Sequence, residues 1–184
     1  SILFIRLDRY SDLLCILVFI LVLFYTIVMR ILGIDPGTGI LGFGVIDVRK
    51  GKPTLVDGGV IKTPVHEQDA IRLQTIFDEL TEIINLHKPD AMSVEKLFFA
   101  RNVTTAMTVA QARGVVLLCG QQAGLAIAEY TPMQIKQAVT GYGKADKKQM
   151  QEMVRVLLNL KVIPKPDDAA DALAAALTHA TAVR

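Results

Sequence analysis

The sequence predicts an α/β layered domain around a mixed five-stranded sheet flanked by helices. Three observations support it. Strand-like runs crowd into residues 30–62, helix-period and strand-period segments then alternate, and the last third is helical in pattern. Strands that follow one another closely pair as antiparallel neighbours, whereas strands separated by a helical crossover return parallel. The expected product is three antiparallel strands beside strands brought back by helices.

The elements follow in order. Arg30–Asp35 is a short apolar run closed by Asp35-Pro36-Gly37, a strand entering a turn. Leu41–Val48 and Thr54–Lys62 are the second and third strands, the latter preceded by Gly51-Lys52-Pro53. From Gln68 to His87, apolar residues such as Ile76, Phe77, Leu80, Ile83 and Ile84 recur at helical spacing, and Lys88-Pro89-Asp90 ends the helix. Ala91–Glu95 is a short strand, Val103–Ala123 a helix with small residues, and Ala126–Tyr130 the fifth strand. Pro132–Val139, Lys144–Leu158 and Asp168–Ala180 are helices. Pro132 suits a first turn, and Asp167 is placed as the N-cap of the last helix.

Residues 1–28 stand apart. Hydrophobic content is 52%, above the usual range of about 45–50%, and the excess lies in this segment. Leu13 to Met29 runs 17 residues without a charge, at the bottom of the range of about 17–25 that spans a bilayer. No small-residue cleavage site follows it. Two readings compete: a membrane anchor through 13–29, or an upstream-extended start with Met29 as the working initiator. The fold reading therefore starts at 29, with 1–28 as an apolar extension and 29–184 as the domain. Cys15 and Cys119 lie in apolar runs without metal-site spacing, which predicts buried free thiols in a reducing compartment.

The net charge of +2 excludes a generic basic nucleic-acid binder. Any DNA contact must come from charge gathered on one face. Residues 131–166 supply such a face: seven basic side chains, among them Lys136 and Lys147, against two acidic ones, a net of +5. A solvated helix surface is the ordinary alternative.

Four carboxylates carry the candidate chemistry. Asp35 ends the first strand and Glu95 the fourth, and ligands of open α/β sheets gather at strand ends. Asp168 and Asp171 are three apart and share a helix face. A lone strand-end Asp is usually a turn former, and a lone pair at a helix start is usually capping charge. Converging, the four would repel without cations. An all-oxygen site suits Mg²⁺ or Mn²⁺, and a pair of such ions can activate water for phosphodiester hydrolysis. His66, His87 and His179 are scattered and are not expected to ligate metal, although His179 follows Asp171 by two turns.

The motifs around these acids resemble the RuvC family of Holliday-junction resolvases. Ile31-Leu-Gly-Ile-Asp-Pro-Gly37 with Gly42-Phe-Gly-Val45 is similar to that family's opening, and Ser93-Val-Glu-Lys-Leu-Phe-Phe99 to its second motif. Ala110-Gln-Ala-Arg-Gly114 resembles its central helix. Pro132-Met-Gln-Ile-Lys-Gln137 with Gly141-Tyr-Gly-Lys-Ala-Asp-Lys147 resembles its DNA-facing segment, and Asp168-Ala-Ala-Asp-Ala-Leu-Ala174 its closing motif. The resemblance covers essentially all of 29–184, in order.

It implies an RNase H-like fold and a homodimer that nicks two strands of like polarity at four-way junction DNA. It implies two Mg²⁺ ions, with Mn²⁺ able to substitute, held by Asp35, Glu95, Asp168 and Asp171 as the catalytic set. Phe98 would stack on an opened base, and Lys136 and Lys147 would face DNA. Implied partners are a junction-binding protein and a branch-migration motor of the RuvA and RuvB type. Asp167 sits beside the motif and outside it, and Phe99 is an extra aromatic with a core role. Family members start near Met29. A membrane helix tethered to the first strand would crowd a dimer that clasps DNA, so the extended-start reading and a cytoplasmic location are preferred to a tether. Two rivals remain: a related RNase H-like nuclease acting on RNA or simpler DNA, and an actin-like ATPase, whose phosphate loop Gly33-Ile-Asp-Pro-Gly-Thr-Gly39 resembles.

Overall fold

The computed structural model describes residues 28–96 and 103–183. The apolar segment through residue 27, with Cys15, and the pair Phe98 and Phe99 lie outside these residues. Among the described residues the strands are β1 (Val28–Asp35), β2 (Ile40–Arg49), β3 (Lys52–Lys62), β4 (Ala91–Glu95) and β5 (Ala126–Tyr130). The helices are α1 (Asp69–His87), α2 (Val103–Gln122), α3 (Pro132–Thr140), α4 (Lys147–Leu157) and α5 (Asp167–Ala182). No helix among the described residues is long and apolar enough to cross a membrane.

The sheet runs β3-β2-β1-β4-β5. β1 pairs antiparallel with β2, and β2 with β3, while β4 lies parallel to β1 and β5 parallel to β4. This is the mixed sheet expected from the strand spacing. Its centre is β1, and the parallel β1–β4 pair sends Asp35 and Glu95 to the same end.

Alternation along the strands divides the core into two layers. Leu32, Ile34, Leu41, Val45, Met92 and Val94 face α1 and α2, where Ile76, Leu80, Val116 and Cys119 are buried. Cys119 is a buried free thiol, as its apolar setting predicts. Ile31 and Ile46 face the other layer, formed by α3, α4 and α5. Gly33 and Ser93 also face it, with α5 pressed against both.

That close approach explains two glycines and the alanines of α5. A Cβ on Gly33 would lie 2.0 Å from the Ala172 carbonyl oxygen, and one on Gly42 would lie 2.1 Å from that of Asp168. Only glycine on the sheet and alanine on the helix let the two backbones pack at this distance. Ser93 Oγ donates to the Ala175 carbonyl at 2.7 Å, so a buried hydroxyl is satisfied and the helix is fixed over β4.

Several boundaries differ from expectation. Asp167 is the first residue of α5 and not its cap; the N-cap is Pro166, and no side chain caps that end. Asp167 bonds Lys147 instead. α4 begins at Lys147 and not at Lys144, because Asp146 forms a capping box with Gln149. A second box, Thr131 with Gln134, starts α3. The His87 ring, at the last residue of α1, approaches Asp57 Oδ2 at 2.9 Å.

Candidate active site

A pocket of about 320 Å³ opens at the strand ends. Asp35, Glu95 and Asp171 line it, together with Lys136, Lys147, Pro132, Ile135, Met150 and Ala174. Each acid arrives from a different element. Asp35 is the last residue of β1 and Glu95 the last of β4. Alternation from Gly33 and Ser93 turns both toward α5. Asp171, one turn into α5, meets them there because Gly33 and Gly42 let the helix lie close against the sheet and Ser93 anchors it. Asp168 lies a turn earlier, with its backbone over Gly42, and its charge acts on Asp35 and Asp171.

The electrostatics are those of crowded, sheltered acids. Burial, and then the charges of Asp171 and Asp168, raise Asp35 to about 7. Burial, and then the charges of Asp35 and Asp171, raise Glu95 to about 7. Asp171 is also raised, chiefly by burial, with Lys147 opposing the shift. Lys147 answers this charge: its Nζ lies 3.1 Å from Asp167 Oδ2 and 3.7 Å from Asp171 Oδ2. The bond to Asp167 holds its ammonium above the usual lysine range. Lys136 lowers Glu95 from the α3 side.

The structure therefore brings together Asp35, Glu95, Asp171, Lys136 and Lys147, with Asp168 adjacent. Phe98 lies outside the described residues. His179 is buried in the α5 layer, its Nδ1 2.9 Å from the Tyr130 hydroxyl, and burial lowers its pKa. It does not line the pocket. Sequence reasoning missed Asp167 as the partner of Lys147 and Ser93 as the anchor of α5. Ser93 was visible inside the second motif, but the side of the strand it faces was not.

Among the described residues, no three His, Cys, Asp or Glu side chains stand close enough together to hold one ion. Asp35, Glu95 and Asp171 ring the pocket instead. Their chemistry still fits a hard divalent cation. The donors are all oxygen, two are raised to about 7 by burial and by neighbouring carboxylates, and Lys147 lies beside a third.

Residues 31–179 match the family described as "Crossover junction endodeoxyribonuclease RuvC". The proteins of that name from Heliobacterium modesticaldum and Brevibacillus brevis are 58% and 57% identical to the chain. Those alignments cover 81% and 83% of this chain and 92% of each relative. The Thermus thermophilus RuvC structure in complex with Holliday junction substrate superposes with a TM-score of 0.80 at 41% identity, over 85% of this chain and 95% of that one. The yeast mitochondrial Holliday junction resolvase, at 13% identity and a TM-score of 0.58, shares the fold. The family match and the close relatives set the actin-like ATPase reading aside. An RNase H-like sheet, acids gathered at its strand ends and a family match from Ile31 to His179 agree, and the chain belongs to the RuvC family of crossover junction endodeoxyribonucleases.

Proposed function

We propose that the chain resolves Holliday junctions in DNA recombination and repair, nicking two strands of like polarity at the pocket of Asp35, Glu95 and Asp171. The observation that carries this reading is the juxtaposition in one open pocket of three acids and two lysines. The acids suit a metal-assisted hydrolysis, and the lysines suit a phosphate backbone.

The family is one of metal-dependent nucleases. Asp35, Glu95, Asp168 and Asp171 would hold two Mg²⁺ ions, with Mn²⁺ able to substitute. A metal held there would neutralise the acids and would lower the pKa of water enough to supply a hydroxide nucleophile near neutral pH. The chain's own residues position the reaction. Asp35 and Glu95, fixed at the ends of paired strands, orient the attack. Lys136 and Lys147 hold the phosphate from α3 and the start of α4. Phe98 stacks on an opened base, a contact worth about 1–3 kcal/mol. Hydrolysis leaves a 5′-phosphate and a 3′-hydroxyl.

Residues 29–184 constitute the nuclease domain. The active form is a homodimer in the cytoplasm, working with a junction-binding protein and a branch-migration motor of the RuvA and RuvB type. Asp35→Asn tests the site. It is expected to abolish cleavage of a synthetic four-way junction while leaving junction binding within about twofold, because the change removes charge and not shape. Cleavage by Asp35→Asn at the parent rate overturns the assignment.

A further inference from the structure

The turn that follows Asp35 is held from the opposite side of the sheet. Residues 36–39 link β1 to β2, and Asp35 pairs with Gly42 across them. Thr63, just beyond β3, is 6% exposed and spends its polar groups on this turn. Its backbone N–H donates to the Gly39 carbonyl at 3.2 Å, and its Oγ1 donates to the Thr38 carbonyl at 2.6 Å. The same Oγ1 accepts from Arg72 Nε of α1 at 2.9 Å. The guanidinium lies over the turn, where a Cβ on Gly39 would stand 3.2 Å from one of its terminal nitrogens. None of these groups lines the pocket.

We infer that Thr63 and Arg72 are positioning residues for the reaction: a part-buried brace that fixes the β1–β2 turn and, through it, the carboxylate of Asp35. The chemistry requires a hydroxyl. Thr63 Oγ1 must donate to one group and accept from another at once, which serine reproduces and the isosteric valine does not. Losing the hydroxyl leaves the Thr38 carbonyl and the Arg72 Nε without this partner. Arg72 bonds Thr63 and does not line the pocket, so it works through geometry. A reacting group displaced by about 1 Å can lose about 100-fold in rate while substrate binding is kept. This inference rests on the junction-cleaving reading of the same pocket.

Thr63→Val, Thr63→Ser and Arg72→Met are compared with the parent chain. The readouts are single-turnover cleavage of a synthetic four-way junction with Mg²⁺, junction binding in chelator, and hydrogen exchange of the backbone amides of residues 37–39. Thr63→Val and Arg72→Met are expected to lower the cleavage rate about 10- to 100-fold with binding within about twofold, and to speed exchange in the turn. Thr63→Ser restores both. Parent-like turn exchange in Thr63→Val, or equal losses in Thr63→Ser and Thr63→Val, overturns the brace. A parent chain that fails to cut the junction refutes the proposed function instead, and the exchange data then decide the brace alone. Arg72 reaches the turn from the partly exposed side of α1, so Arg72→Met decides the matter if Thr63→Val fails to fold.

Discussion

Burying a carboxylate beside other carboxylates costs free energy, and Asp35 and Glu95 do both. Their folded-state pKa values lie above the ordinary carboxylate range, so the folded state holds these protons more tightly than the unfolded chain. Their contribution to stability is fully present below that ordinary range and is lost as pH rises through about 7. In chelator, Asp35→Asn is therefore expected to melt several degrees above the parent at about pH 8, with the gap closing toward about pH 4. A gap that stays constant across that range contradicts the burial argument. Lys147 answers the same charge from outside, exposed over half its side chain and bonded to Asp167 and Asp171. An exposed pair of this kind adds about 0–1 kcal/mol to stability, so its loss is expected to leave the fold intact. Lys147→Ala should weaken junction binding and cleavage together and reduce the salt slope of binding by about one. An unchanged slope places Lys147 off the DNA path.

At the scale of elements, the site depends on how closely α5 lies on the sheet. Gly33 and Gly42 admit the backbone of the helix, Ser93 anchors it, and Asp168 and Asp171 ride on its first turns. Gly33→Ala drives a methyl into the Ala172 carbonyl, and overpacking of this kind costs about 1–3 kcal/mol. The expected outcome in denaturant titration is a lower midpoint with an unchanged slope, accompanied by slower cleavage. A midpoint equal to the parent's means that the helix yields freely. The elements themselves were legible because each obeys a local rule. β4 and β5 came out at their expected bounds, and β1 gained only the two residues Val28 and Met29. The boundary that moved furthest, the start of α4, was decided by a side-chain cap. Asp146 starts α4 three residues later than periodicity suggested, and Asp167 is drawn to Lys147 and leaves the end of α5 uncapped. Hydrophobic period does not encode such choices.

Across the whole molecule, strand order converts separation along the chain into proximity. Asp35 and Glu95 are 60 residues apart in sequence but end adjacent parallel strands, and Asp171 reaches them because α5 crosses the sheet beside β1. The sequence motifs named these acids, but their convergence and the raised pKa values that follow from it needed the three-dimensional fold. The bracing of the Asp35 turn by Thr63 and Arg72 was not legible at all, since it joins β3 to α1 through one hydroxyl with no motif of its own. This pocket is proposed to cut four-way junctions with a divalent metal. This activity is tested most directly by cleavage rates of the full chain on a synthetic four-way junction, a linear duplex and an RNA–DNA hybrid, each with Mg²⁺ and with chelator. Paired 5′-phosphate nicks in junction strands of like polarity are expected, dependent on Mg²⁺, with little cutting of the other two. Equal cutting of all three substrates, or junction cutting undiminished by chelator, would contradict it.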